Sequence, residues 1–274
     1  MTILVYQLTR NQPRKRRTEV KRTEVTLSSG GHLAVLGSRI FTSRIIEPVM
    51  TPTSTSADFH HPDIQLPRLI AHRGYSAAAP ENTLAAVRAA HKAGARWVEL
   101  DVQLLGDGTA VIWHDADVAR CSDGRGELKH LDWAQAQKLD VGGWFNDDFA
   151  GERMASLDTM LALLGELDMG VNLELKVNKG RDPIALVESV LPRVMQVLSP
   201  QHLILSSFNQ VALAHARDYA DASQLALGAL FGSLPDDWHA QCQAVDAFSV
   251  HAHWPRLKRT QARAVSEAGY PLIC

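Results

Sequence analysis

The 274 residues allow one large α/β domain or two small ones, and a 46% hydrophobic content can build a sizeable core of the ordinary globular kind. A formal net charge of −2 gives no general pull toward nucleic acid or an anionic membrane, and no apolar stretch reaches the length of a membrane span. Cys121, Cys242 and Cys274 are odd in number, far apart and without a CxxC pair, so they read as inert reduced thiols of a cytoplasmic protein.

In chain order, the N-terminus opens on the short apolar stretch Ile3-Leu4-Val5-Tyr6. A basic run follows it (Arg10, Arg14, Lys15, Arg16, Arg17, Lys21, Arg22), the reverse of the order in a secretory signal. Such a run is more often a solvated tail than an arm for nucleic acid or a membrane surface. Residues 47–67 are rich in Pro, Thr, Ser and His. Residues 1–65 are therefore expected to form a disordered or poorly ordered basic extension, and residues 66–274 the folded domain.

From residue 66 onward, apolar runs of strand length alternate with amphipathic helical stretches. Strands are predicted at 68–71, 97–102, 171–176, 202–206, 224–230, 246–250 and 270–274. Helices are predicted at 83–93, 156–167, 183–198, 210–219 and 260–268, the last stopped by Gly269. This alternation predicts a parallel sheet with helical crossovers. Seven strands in one domain point to a TIM-type (β/α)8 barrel, with a doubly wound sheet as the alternative. The second strand runs into Gly106-Asp107-Gly108 and returns through 109–113, a predicted hairpin. A two-residue turn centred on Asp107 and Gly108 would set Gly106 opposite Thr109 and Asp101 opposite His114, unless a bulge shifts the register. Residues 115–155, rich in Gly, Asp and Trp, are expected to form a small insertion over one end of the barrel.

Functional groups of a parallel barrel collect at the C-terminal ends of its strands. His72-Arg73-Gly74 follows the first strand: Arg offers a planar fork for phosphate oxygens, and Gly allows a sharp turn. Glu99 and Asp101 share one face of a strand that otherwise reads as buried, and buried like charges require a cation or protons. His114-Asp115 ends the hairpin. Glu174 and Lys176 share a face of the next barrel strand. An all-oxygen set suits a hard cation, Mg²⁺ or Ca²⁺, and that cation with Arg and Lys makes an anion trap for which phosphate is the natural guest. Two imidazoles can divide general base and general acid duties across one phosphorus.

His72-Arg73-Gly74, Pro80-Glu81-Asn82-Thr83, Glu99-x-Asp101, Asp107-Gly108, His114-Asp115 and Glu174-x-Lys176 together resemble the signature series of glycerophosphodiester phosphodiesterases, most closely the cytoplasmic bacterial type. The resemblance covers residues 66–274. It implies a barrel that hydrolyses glycerophosphodiesters, small molecules such as glycerophosphocholine, to glycerol 3-phosphate and an alcohol. It also implies a divalent ion held by Glu99, Asp101 and Glu174, His72 and His114 as the acid-base pair, and Arg73 and Lys176 as phosphate contacts. A cyclic phosphate formed by the glycerol 2-hydroxyl fits this family. The insertion would help shape the substrate pocket, and Asn82 reads as the cap of the first helix.

The chain departs from the resemblance at its end, because the family continues through another helix and a last strand. The last strand is thus expected to be missing, leaving the first and seventh strands with free edges beside His72. Reduced stability or dimeric edge pairing is the corresponding expectation, with the oligomeric state open. Two other readings are a phosphate-ligand binding protein without catalysis, which a missing strand favours, and a related barrel acting on phospholipid head groups. The latter needs an apolar rim, which the loops do not suggest.

Overall fold

A computed structural model describes Thr2, Ile3 and residues 61–274. The basic run and most of the stretch rich in Pro, Thr, Ser and His lie outside the described residues.

Strand and helix alternate as the apolar pattern requires. The strands are β1 (Thr2–Ile3), β2 (Ala71–His72), β3 (Trp97–Leu104), β4 (Ala110–Ile112), β5 (Gly170–Leu175), β6 (Leu203–Ser207), β7 (Ala226–Phe231), β8 (Ser249–Ala252) and β9 (Leu272–Ile273). The helices are α1 (Leu84–Lys92), α2 (Trp133–Ala136), α3 (Leu157–Glu166), α4 (Pro183–Val197), α5 (Gln210–Tyr219), α6 (Trp238–Gln243) and α7 (Arg259–Glu267). The short helices α2 and α6 are additions to the predicted set. Several helices start on a side chain that accepts from a free backbone N–H of the first turn: Thr83 from Ala86, Ser156 from Thr159, Asp182 from Ile184 and Ala185, and Asn209 from Ala212. The cap of α1 is therefore Thr83 and not Asn82. Asn82 sits one residue earlier in a left-handed conformation (φ 58°), a position from which it turns elsewhere.

The sheet order is β1-β9-β8-β7-β6-β5-β3-β2, with β4 antiparallel to β3 and every other pairing parallel. From β2 to β9 the spatial order follows the chain without reversal, so the switch point of a doubly wound sheet is lacking. The sheet also curls. Ile70 beside β2 and Ile273 on β9, near the two ends of that order, share one buried cluster with Trp97, Ile204 and Ala226. This is the (β/α) barrel, with seven of its strands in the curled sheet. Along β5, Val171, Leu173 and Leu175 join the apolar core, while Asn172 and Glu174 alternate onto the opposite face.

Two expectations about the sheet are corrected. Leu105 N donates to Thr109 O and Gly108 N to Leu105 O, so the hairpin closes on the three residues Gly106, Asp107 and Gly108, with Gly108 left-handed (φ 83°). The extra residue shifts the register by one: Val102 lies opposite Ile112, and Trp113 N donates to Asp101 O, so Asp101 faces Trp113 and not His114. The outer edge of β9, expected free, pairs in parallel with β1, Thr2 with Leu272 and Ile3 with Ile273. Thr2 and Ile3 are both β-branched, a residue type favoured in strands.

Beyond the hairpin, the insertion builds a second, smaller core from Leu105, Val111, Trp113, Val118, Cys121 and Leu128. No helix among the described residues is long and apolar enough to cross a membrane. The three cysteines are free, and burial pushes the Cys121 thiol up to about 12.

Candidate active site

Three parallel strands carry the site because their registers align. Asp101 on β3 lies opposite Glu174 on β5, and Glu99 lies opposite His72 on β2. Side chains as far apart in the sequence as His72 and Glu174 thus meet at one barrel mouth. Glu99, Asp101 and Glu174 are all buried, and each offers a carboxylate oxygen within 4.8 Å of the others'.

Two cations brace this acidic cluster. Lys176 Nζ lies 2.7 Å from Glu174 Oε1 and 3.1 Å from Asp101 Oδ1. Arg73 donates its backbone N–H to Glu99 Oε2 (3.1 Å) and Nη1 to Glu81 Oε1 (2.7 Å). Its Nε lies 3.3 Å from Asp101 Oδ2 without hydrogen-bond alignment. Arg73 is left-handed (φ 55°), an uncommon state for a side-chain-bearing residue that needs strong surroundings to hold it. Gly74 beside it is also left-handed (φ 75°), and a Cβ there would lie 2.7 Å from Ala86 of α1, so the turn packs against the helix only with glycine.

The electrostatics follow from burial and crowding. Burial first, then the charges of Asp101 and Glu174, push Glu99 well above the usual carboxylate range. Burial and Asp101 likewise raise Glu174 to about 7 despite Lys176. Asp101 is also raised by burial, but Lys176, Arg73, His114 and the Asn82 amide together overcome that and hold it at about 2. Burial and the neighbouring Arg73 lower His72 to about 4, so it is neutral at pH 7. Its Nε2 lies 3.6 Å from Glu99 Oε2. Burial also lowers His114.

The shifted register still leaves His114 beside the site, since the preceding Trp113 N donates to Asp101 O and Gln103 Nε2 on β3 donates to the His114 carbonyl at 2.9 Å. Its Nδ1 lies 2.6 Å from Asp115 Oδ1. In the tautomer that donates this bond, Nε2 is left to take or give a proton. Every residue singled out in the sequence is therefore in one place: His72, Arg73, Glu99, Asp101, His114, Glu174 and Lys176. Sequence reasoning missed Arg120, an isolated Arg of the insertion that contacts both Asp115 and Glu81.

Two features surround this constellation. A cavity of about 350 Å³ lies beside Lys176, bounded by the hairpin at Leu104 and Leu105 and by Asp182, Ala185 and Leu186 at the start of α4. Phe208 and Trp254, following β6 and β8 at the same end of the barrel, are 53% and 47% exposed. The Phe208 ring centroid is 5.8 Å from Lys176 Nζ.

The three carboxylates fit a hard cation. All donors are oxygens, the donor atoms already converge, and burial and mutual repulsion push two of the three acids, Glu99 and Glu174, upward, a cost that a bound cation would relieve.

The chain is also similar to known proteins. The chain is 36% identical over 184 residues to a glycerophosphodiester phosphodiesterase of Caldanaerobacter subterraneus, covering 67% of this chain and 74% of that one. It is 30% identical over 142 residues to a glycerophosphodiester phosphodiesterase of Bacillus subtilis, where it spans about half the length of either chain. A phosphodiesterase of Oleispira antarctica, solved in complex with the product sn-glycerol-3-phosphate, superimposes with a TM-score of 0.68 at 34% identity, covering 76% of this chain and 84% of that one. The model of the glycerophosphoryl diester phosphodiesterase family matches residues 72–274, most of the chain. With its barrel, its converging carboxylates and this match, the chain belongs to the glycerophosphoryl diester phosphodiesterase family, a family of phosphoric diester hydrolases.

Proposed function

We propose that this site hydrolyses glycerophosphodiesters to glycerol 3-phosphate and an alcohol with the help of one divalent cation, Mg²⁺ or Ca²⁺. The observation that carries the reading is the convergence of Glu99, Asp101 and Glu174 within 4.8 Å, flanked by Arg73 and Lys176. Glu99, Asp101 and Glu174 would hold the cation. When bound, such an ion supplies Lewis-acid polarisation of a phosphoryl oxygen. Arg73 and Lys176 bind the remaining phosphoryl oxygens and stabilise the charge that grows on them. Neutral His72 and Asp115-oriented His114 divide the proton transfers. One imidazole takes the proton of the glycerol 2-hydroxyl as that oxygen bonds to phosphorus. The other protonates the departing alcohol oxygen. Water then opens the cyclic ester with the roles reversed.

The test is release of glycerol 3-phosphate from several glycerophosphodiesters, with and without chelator, by the full chain and by His72→Ala and His114→Ala. The expected result is loss of product in chelator and a fall on the order of 10² or more in each variant. Undiminished turnover in either variant removes its imidazole from the mechanism, and undiminished turnover in chelator removes the cation.

Half-exposed Phe208 and Trp254 at the barrel mouth favour a second reading, in which the diester carries an acyl chain that rests on these rings. Comparing a lysophospholipid with its deacylated glycerophosphodiester decides it. A kcat/KM for the lysophospholipid that exceeds that of the deacylated compound, and falls in Phe208→Ser, supports this reading. No turnover of the lysophospholipid ends it.

A further inference from the structure

We propose that Arg120 is a positioning residue of this site. From the insertion it ties Glu81 to Asp115, and so fixes the phosphate contact Arg73 and the acid-base group His114 with a single guanidinium. The inference rests on the hydrolytic reading above.

The contacts are specific. Arg120 Nε lies 2.5 Å from Asp115 Oδ2, and Nη2 donates to Asp115 Oδ1 at 3.0 Å. Nη2 also donates to Glu81 Oε1 at 2.7 Å, and Nη1 to Glu81 Oε2 at 2.9 Å. Each carboxylate is thus gripped through both oxygens. Each then reaches into the site: Glu81 Oε1 accepts from Arg73 Nη1, and Asp115 Oδ1 bonds His114 Nδ1. An ion pair of one half-exposed Arg would ordinarily contribute little. Here the guanidinium is a member of a five-residue chain, Arg73-Glu81-Arg120-Asp115-His114, where removal of the middle link frees both ends.

The backbone that presents Arg120 is anchored. Its neighbours Val118 and Cys121 are buried in the small core of the insertion. Trp113 Nε1 donates to Asp117 O, and Ser122 Oγ donates to Val118 O. This gives the insertion a task beyond shaping a pocket: its core holds a charge in place over the barrel mouth.

The test uses the intact chain with Arg120→Ala and Arg120→Lys. The groups facing His114 are Asp101 from β3, His72 from β2, Arg73 from the turn after it, Lys176 from the end of β5, and Asp115 from its own loop, which Arg120 in turn contacts. Without Arg120 the Asp115 charge faces the imidazole uncompensated and favours the imidazolium. In Arg120→Ala we expect kcat/KM to fall on the order of tenfold. We also expect the His114 ring, followed by NMR, to titrate at higher pH than in the parent. Adding Asp115→Asn should return the titration toward the parent position, and Arg120→Lys, which keeps the charge but not the fork, should leave it there while the rate still falls. An unmoved His114 titration in a folded Arg120→Ala protein overturns the inference, as does an unchanged rate. Because NMR needs no turnover, a parent chain that releases no glycerol 3-phosphate defeats the hydrolytic reading separately.

Discussion

Asn82 grips Asp101 twice: its Nδ2 donates to Asp101 Oδ2 at 2.8 Å, and its Oδ1 accepts the Asp101 backbone N–H at 3.2 Å. Asp101 is 1% exposed and is the one acid of the cluster held low. The left-handed backbone of Asn82 is the condition for this reach, and asparagine is among the few side chains that tolerate it.

Separating these two contributions gives the first prediction. Asn82→Gly keeps the backbone conformation but deletes two hydrogen bonds to buried Asp101, one to its carboxylate and one from its backbone N–H, so it should cost about 1–3 kcal/mol. Asn82→Ala loses the same bonds and adds left-handed strain, so it should be less stable than the glycine variant. Asn82→Asp sets a second carboxylate against Asp101 and should raise the Asp101 pKa. Chemical denaturation of the three variants checks the order. An alanine variant as stable as the glycine variant would show that strain at this position is negligible.

The second prediction concerns pH and cation together. Glu174 is raised to about 7 from an unfolded value of 4.5, so it binds its proton more tightly in the folded chain. Its contribution to stability is complete below 4.5 and is lost as pH rises through about 7, a change on the order of 3 kcal/mol. Glu99 is raised and acts in the same direction. Asp101, lowered to about 2 from 3.8, contributes above 3.8 and is lost only as pH falls toward 2. The cation-free chain should therefore melt at a lower temperature at pH 8 than at pH 5. Added Mg²⁺ or Ca²⁺ should raise Tm much more at pH 8, where the carboxylates are ionised and free to bind. Equal cation-induced shifts at both pH values would contradict the idea that these acids exchange a proton for a cation.

Much of this was legible in the sequence, and the failures have physical causes. Helix α5 covers the predicted 210–219 and strand β6 lies within one residue of the predicted 202–206, because apolar periodicity is a local signal. The pairing of Glu99 with Asp101 needed only the two-residue period of a strand. The hairpin register was missed because Gly106-Asp107-Gly108 can close as two residues or three, and one left-handed glycine decides between them. Thr83 and Asn82 are both cap formers, and adjacent residues of that kind cannot be ranked without the backbone. Helix α2 carried a readable sign in Asp132 and Gln135, which form a reciprocal capping box. Arg120 carried none: its partner Glu81 lies 39 residues upstream, and the fold alone brings them together.

The third prediction uses the cavity beside Lys176. The flank of the site near Arg73 is closed by Glu81 and Arg120, whereas the Lys176 flank opens into about 350 Å³ between the hairpin and α4. Its walls at Leu105 and Leu186 are apolar. Arg181 on its rim is occupied with the Leu104 carbonyl, and Asp182 with capping α4. Glycerol, with hydroxyls that each seek a partner, suits such walls poorly, while the alcohol of the diester needs room more than hydrogen bonds. Ala185→Trp would fill part of this space from the first turn of α4 without touching the acidic cluster. We expect its KM to rise on the order of tenfold for a diester of a bulky alcohol without further hydroxyls, such as choline, and to change little for one of ethanolamine. A uniform change across leaving groups would move the alcohol out of this cavity and toward the open mouth of the barrel.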